Sequence, residues 1–271
     1  MKKIAYSASL GSILGLVLAL AGTGNSRANE TSPYWRSSPA ELAAGQKVCM
    51  AVFSQASQSW SIYNLPQCQL PLSPCSTFKI PNALLGLQFD VLSGPEHEMS
   101  WDGTEYDRKV LNQDHNLASA MQNSVVWYFQ ELARQIGEER MQQSLDAFDY
   151  GNRDISGGID TFWLGDSLEI NALQQVEFLG KLVNRELPAD AGNQATVLQL
   201  LLQDYALPDD FKGTLFGKTG SCPMPGDDHG WFVGMHERKD DRLIFAVNVI
   251  GEKAWGPEAR RLAIEMLQAI E

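Results

Sequence analysis

Apolar and polar positions along this 271-residue chain follow two rhythms, one near each end and another between them. Residues 48–66 hold two short strand-like runs, Met50-Ala51-Val52-Phe53-Ser54 and Trp60-Ser61-Ile62-Tyr63, on either side of a polar Gln55-Ala56-Ser57-Gln58-Ser59 stretch, which predicts an antiparallel hairpin. From residue 76 the pattern turns helical to about residue 92, where Ser93-Gly94-Pro95 stops it. Residues 95–116 are rich in acids, lack a period and read as loop. Across residues 117–148, Val125, Val126, Phe129, Leu132 and Ile136 fall on one helical face, and Gly137 divides the run into two helices. Tyr150-Gly151-Asn152 reads as a turn, residues 155–168 as a glycine-rich loop, and residues 171–187 and 195–205 as two further helices. Strand character returns at residues 214–220, 230–235 and 243–250, with Lys239-Asp240-Asp241 as the turn between the last two. Residues 258–270 close the chain as a helix, and residues 29–45 read as an irregular lead-in or short helix.

Strands at both ends with helices between them imply an α/β fold of the α+β type. The terminal strands join into one antiparallel sheet flanked by helices, and an all-helical subdomain, roughly residues 95–208, is inserted. The expected unit is a single domain over residues 29–271, with a cleft at the seam between sheet and helices.

The first residues change the picture of where this domain works. Met1-Lys2-Lys3, an apolar run to Leu20, and Ser26-Arg27-Ala28 have the layout of a secretory signal peptide cut after Ala28, which makes the product periplasmic. Serine and glycine interrupt the apolar run, which disfavours an uncleaved anchor, and no other run is long enough to span a bilayer. Cleavage removes Lys2, Lys3 and Arg27 but no acid, taking the net charge from −12 to −15. Nucleic acid and anionic membranes are poor partners for such a surface.

Export permits disulfides among Cys49, Cys68, Cys75 and Cys222. Closing the hairpin brings Cys49 and Cys68 together as the first-choice pair. Cys75 reads first as a small buried residue beside Ser76, with a Cys75–Cys222 bridge as the second choice, and connectivity stays open. There is no C-x-x-C, and His97, His115, His229 and His236 lack metal-ligand spacing, so no metal site is expected. A G-x-S-x-G elbow is also missing from the sequence.

The candidate chemistry starts at Ser76 and Lys79. Their i,i+3 spacing puts hydroxyl and amine on one helical face, Pro81 is tolerated in a first turn, and an uncharged Lys79 is able to take the serine proton. S-x-x-K alone is common, and an N-cap beside a solvated lysine explains most examples. Three further patterns follow in order: Ser124-Val125-Val126 at a helix start, Tyr150-Gly151-Asn152 at a turn, and Lys218-Thr219-Gly220 on a strand. Each alone is an ordinary cap, turn or edge strand. Together they match the penicillin-recognising serine enzymes.

More narrowly, the chain resembles the class D, oxacillinase-type, serine β-lactamases over essentially its whole mature length. The residues that carry this are Ser76-Thr77-Phe78-Lys79, Ser124-Val125-Val126, Tyr150-Gly151-Asn152, Trp163, Lys218-Thr219-Gly220-Ser221, Gly230-Trp231-Phe232-Val233-Gly234 and Arg260. Class A enzymes fit less well, and Glu169-Ile170-Asn171 is read as a helix start rather than as their glutamate loop. The resemblance implies a Ser76 acyl-enzyme and a Lys79 that carbon dioxide or bicarbonate converts to N6-carboxylysine, the general base. Phe78, Val126 and Trp163 would support that group in apolar surroundings, and the backbone N–H groups of Ser76 and Ser221 would form an oxyanion hole. Ser124 would relay a proton to the ring nitrogen. Lys218, Thr219, Gly220 and Arg260 (rather than its neighbour Arg261) would hold the substrate carboxylate. Tyr150 would line the cleft and Asn152 would support its turn. Trp101, Trp127, Trp231 and Trp255 are assigned to core or cleft wall.

The implied function is hydrolysis of a small-molecule β-lactam. A penicillin-binding sensor and a cell-wall peptidase are the alternatives. Substrate range and oligomeric state, monomer or homodimer, stay open.

Overall fold

The computed structural model describes residues 37–202, 207–222 and 227–270. The signal-peptide segment and Met224-Pro225 lie outside the described residues. In chain order the elements are helix α1 (Pro39–Ala43), strands β1 (Lys47–Ser54) and β2 (Ser59–Tyr63), helix α2 (Leu65–Cys68), a 3-10 turn (Cys75–Phe78) and helix α3 (Lys79–Gln88). Two short strands follow, β3 (Glu98–Met99) and β4 (His115–Asn116), then helices α4 (Leu117–Asn123), α5 (Val126–Ile136), α6 (Glu138–Phe148), α7 (Ala172–Asn184) and α8 (Ala191–Leu200). Strands β5 (Thr214–Cys222), β6 (Asp228–Glu237) and β7 (Arg242–Gly251) precede the closing helix α9 (Gly256–Ala269).

The sheet runs β2-β1-β7-β6-β5, antiparallel throughout, so the terminal strands do join, through β1 against β7. Both faces are covered. Val48, Met50 and Val52 of β1 share one core with Phe245, Val247 and the α9 residues Leu262 and Met266. The alternate residues, Cys49 and Ala51, with Ile244 and Ala246, face the larger core built with the helices. Residues Lys79 to Leu87 of α3 are all buried, as an almost wholly apolar helix must be, and α3 packs among the other helices below the sheet.

The stretch 95–116, expected as loop in an all-helical insertion, carries the short antiparallel β3–β4 pair, and three further element boundaries differ from the pattern-based expectation. The stretch from Ser76 begins as a 3-10 turn and becomes α-helical only at Lys79, with Pro81 in the first turn of α3, where no N–H is missed. The helical run over 117–148 breaks at Ser124 as well as at Gly137. Ser124 adopts φ 54°, ψ 47°, and the Val125 N–H closes the end of α4 on the Ala120 carbonyl at 2.9 Å. Helix α8 starts earlier than residue 195 because Asp190 caps it, its carboxylate accepting from the Gly192 and Asn193 N–H groups.

Both disulfides form, Cys49–Cys68 and Cys75–Cys222. The first follows from the hairpin register, which runs up to Met50 opposite Tyr63 before α2 folds back over β1. The second corrects the reading of Cys75 as merely a small buried neighbour of Ser76.

Candidate active site

Ser76 sits half-exposed in the 3-10 turn, and its Oγ lies 2.8 Å from Lys79 Nζ. Lys79 is itself fully buried, 0 % exposed, at the start of α3. Its amine stands 5.5 Å from the centre of the Phe129 ring, one turn beyond the half-buried Val126 on α5. Burial, then the charges of Lys218 and Arg108, hold the Lys79 pKa well below the usual lysine range. An amine kept neutral in this way is a base beside a serine hydroxyl.

The second hydroxyl–amine pair comes from different elements. The left-handed turn at Ser124, a conformation that non-glycine residues adopt only under constraint, turns its side chain to Lys218, whose Nζ donates to Ser124 Oγ at 3.0 Å. Lys218 is 2 % exposed on β5 and also donates to the Thr219 carbonyl at 3.0 Å. β5 is an edge strand, and the Gly217 N–H bonds outward, to the Leu201 carbonyl at 2.9 Å. The register with β6 is unbroken to Cys222, so by alternation the N–H groups of Thr219 and Ser221 also point away from β6, towards the Ser76 turn. The other donor of the expected oxyanion hole is the Ser76 N–H at the head of the 3-10 turn. The Ser73 carbonyl, three residues back, instead accepts from Trp231 Nε1 and His229 Nε2, both at 3.0 Å.

Glycines bring these pieces close. A Cβ on Gly220 would lie 2.9 Å from the Pro74 carbonyl oxygen, so β5 reaches the Ser76 turn only without a side chain there. A Cβ on Gly256 would lie 2.8 Å from the Thr219 Cβ, so the start of α9 rests on the same strand. The Gly256 N–H donates to Ser221 Oγ at 2.9 Å. Arg260 is one turn along α9, on the same helical face as Gly256. Arg261 points elsewhere, in ion pairs with Glu258 and Glu265, both at 2.7 Å.

Trp163 is fully buried and stacked on Phe78, with ring centres 5.2 Å apart, and its indole N–H has no hydrogen-bond partner. An orphaned buried N–H on a ring stacked against Phe78, the residue before the desolvated Lys79, fits a carbamate on that amine, whose added carboxylate-like oxygens would be acceptors for it. The assignment of Tyr150 to the cleft wall is corrected. Tyr150 is 0 % exposed, packed edge-on against Phe78 and Phe178. It backs the Phe78–Trp163 stack from within the core, out of a substrate's reach. Asn152 does support its turn, donating to the Ser167 carbonyl at 2.8 Å and accepting from the Glu169 N–H at 3.1 Å.

Three contributors were not singled out from the sequence. Ser73 Oγ donates to the Trp163 carbonyl at 2.9 Å and accepts from the Gly165 N–H at 3.0 Å, which fixes the tryptophan segment. Phe129 closes the lysine pocket, and only its position three residues beyond Val126 hints at this. Arg108 lies beside Ser124, in a loop whose acid-rich sequence gave no sign of it. Cys75, Cys222 and His229 come together in the core, with both sulfurs engaged in the disulfide.

Burial, with a smaller push from Arg108, brings the Lys218 pKa down from 10.5 to about 7. The unfolded chain keeps that proton up to about pH 10.5, so between these values it binds more protons than the native state and stability rises with pH. In bicarbonate-free buffer, Lys218→Met is expected to reduce the rise in Tm across this window; an unchanged slope would contradict a depressed Lys218.

Sequence comparison matches residues 15–267 to the family described as penicillin binding protein transpeptidase domain. The chain is 40 % identical over 207 residues to Probable beta-lactamase YbxI of Bacillus subtilis, covering 76 % of this chain and 74 % of that protein. Its structure superposes on Class D beta-lactamase BAT-2 with a TM-score of 0.79 at 37 % identity, over 86 % of this chain and 95 % of that one. It is also 38 % identical to Regulatory protein BlaR1 of Bacillus licheniformis over 80 % of its own length, spanning 35 % of that longer protein.

Proposed function

Since this chain belongs to the penicillin-binding protein transpeptidase-domain family, and within it to the class D β-lactamases, we propose that it hydrolyses the β-lactam amide of penicillins through an acyl-enzyme on Ser76. The observation that carries this reading is the 2.8 Å approach of Ser76 Oγ to the amine of fully buried Lys79, which directly follows Phe78, the ring on which Trp163 stacks with its N–H unpartnered.

The ring carbonyl sits between the N–H groups of Ser76 and Ser221, which stabilise the oxyanion as Ser76 Oγ attacks. Lys218, Thr219 and Arg260 hold the substrate carboxylate, the guanidinium offering a planar fork. Ser124, hydrogen-bonded to Lys218, passes a proton to the departing ring nitrogen. A carbamate on Lys79 would be held by Trp163 Nε1 and would supply general-base chemistry next to the Ser76 hydroxyl. Phe78, Phe129 and Trp163 keep bulk water and competing donors away from it.

Residues 1–28 would direct export to the periplasm, where such an enzyme confers β-lactam resistance. Among the described residues no helix is long and apolar enough to cross a membrane. The similarity to BlaR1 favours a second reading, a penicillin receptor that is acylated and does not turn over.

Continuous measurement of benzylpenicillin ring opening separates the two. Many turnovers per site, slowed by degassing and restored by bicarbonate, fit the hydrolase; one stoichiometric burst fits the receptor. Trp163→Phe keeps the ring stacked on Phe78 while removing the N–H. It is expected to lower turnover by about 10²-fold, the scale of losing one positioned hydrogen bond at a reacting group, with partial recovery in raised bicarbonate. Full turnover by this variant would count against the carbamate.

A further inference from the structure

We propose that Arg108 forms a second anion-binding subsite at the rim of the cleft, selecting β-lactams that carry an additional carboxylate or sulfonate on their side chain. The inference rests on the β-lactam reading above and extends it to a substrate class.

Arg108 is exposed on the helical side of the cleft, and its Nη2 donates to the Asn123 carbonyl at 3.2 Å. That carbonyl immediately precedes Ser124, whose Oγ is 3.0 Å from Lys218 Nζ. The guanidinium is therefore one residue away from the proton-relay hydroxyl, and the recorded bond uses one of its five donors. Its electrostatic reach into the site is visible in its contribution to the lowered pKa values of both Lys79 and Lys218.

The position is built rather than loose. The Leu111 N–H bonds the Arg108 carbonyl at 2.9 Å, Trp127 Nε1 donates to the Leu111 carbonyl at 2.9 Å, and His115 Nε2 lies 2.8 Å from the Val110 carbonyl. Among the described residues no carboxylate lies within ion-pair distance of Arg108, although the chain carries a net charge of −12. Arg134, Arg153, Arg242 and Arg261 all sit in ion pairs with acids. Among the loop's acids, Asp102 accepts from the Thr104 N–H and Asp114 from the Trp101 N–H, and neither Glu105 nor Asp107 forms an ion pair with Arg108 among the described residues. The carboxylate common to all penicillins is served from the other wall, by β5 and α9. An anion bound by Arg108 is thus a different group on the same molecule.

The test compares benzylpenicillin with its α-carboxy analogue, which differs by one side-chain carboxylate. The second-order rate of Ser76 acylation is followed by mass spectrometry for the wild type, Arg108→Gln and Arg108→Lys. This rate exists whether or not the acyl-enzyme turns over, so the choice between hydrolase and receptor does not affect the result. Arg108→Gln is expected to reduce the preference for the dianion about tenfold, the share of one charge-assisted fork. Arg108→Lys is expected to recover only part of it, a point charge replacing a fork. The subsite is overturned by an unchanged preference, by equal losses on both penicillins, or by full recovery with lysine, which would mean attraction at a distance. If neither penicillin acylates the wild-type protein, the β-lactam reading itself fails and the subsite falls with it.

Discussion

Lys79→Ala is expected to yield a Ser76 acyl-enzyme that forms slowly and then persists, with turnover lowered by about 10⁴-fold, the upper end of what one positioned base contributes. The Ser76 hydroxyl is bonded to Lys79 Nζ, and among the described residues no Asp, Glu or His hydrogen-bonds to it. With the amine gone, acylation keeps the oxyanion donors and the carboxylate contacts, which alone retain part of the acceleration. Deacylation loses more, because water then lacks a base in a pocket lined by Phe78, Phe129 and Trp163. Pre-steady-state kinetics with benzylpenicillin read both steps. A Lys79→Ala variant that deacylates at the wild-type rate would place the base elsewhere.

The largest effect on stability is expected from the Cys75→Ser, Cys222→Ser double variant. The bridge closes a span of 147 residues, and bridges over long spans typically contribute about 2–4 kcal/mol. For a domain of this size that corresponds to a Tm lower by roughly 5–15 °C. The bridge also joins two chemically loaded segments, since Cys75 directly precedes Ser76 and Cys222 directly follows Ser221. Cys75 holds φ at 47°, a left-handed turn that sets how the Ser76 N–H is presented. The double variant is therefore expected to lose more than about tenfold in kcat even at temperatures where it is folded, the scale of weakening one oxyanion donor. Calorimetry and steady-state assays on the same sample separate the two effects. An unchanged Tm would contradict the stabilising role, and an unchanged kcat the link to the oxyanion hole.

What the sequence disclosed was what local pattern and motif order carry. Short strand-like apolar runs at both ends located β1, β2 and β5 to β7, and the ordered motifs singled out Ser76, Lys79, Ser124 and Lys218 before their geometry was known. The break at Ser124 showed only in the motif, which put Ser124-Val125-Val126 at a helix start, and not in the periodicity, because its cause is tertiary. The chain leaves the helix there to turn a hydroxyl to Lys218, and the apolar face of Val126 and Phe129 belongs to the helix that starts after the break. Tyr150 was misplaced for a related reason. Its turn is at the surface, but the ring points inward to Phe78 and Phe178, and a motif states neighbours in sequence, not direction in space. Ser73 and Arg108 escaped notice because each acts through one backbone carbonyl contributed by another segment, Trp163 and Asn123 respectively.

Mass spectrometry of the mature protein mixed with benzylpenicillin, with and without bicarbonate and with peptide mapping of Ser76, observes acylation and its reversal directly. The expected result is an adduct on Ser76 that appears and clears within seconds, faster when bicarbonate is present. An adduct on Ser76 that persists for hours in both conditions would contradict hydrolysis assisted by a carboxylated Lys79 and identify a penicillin receptor instead.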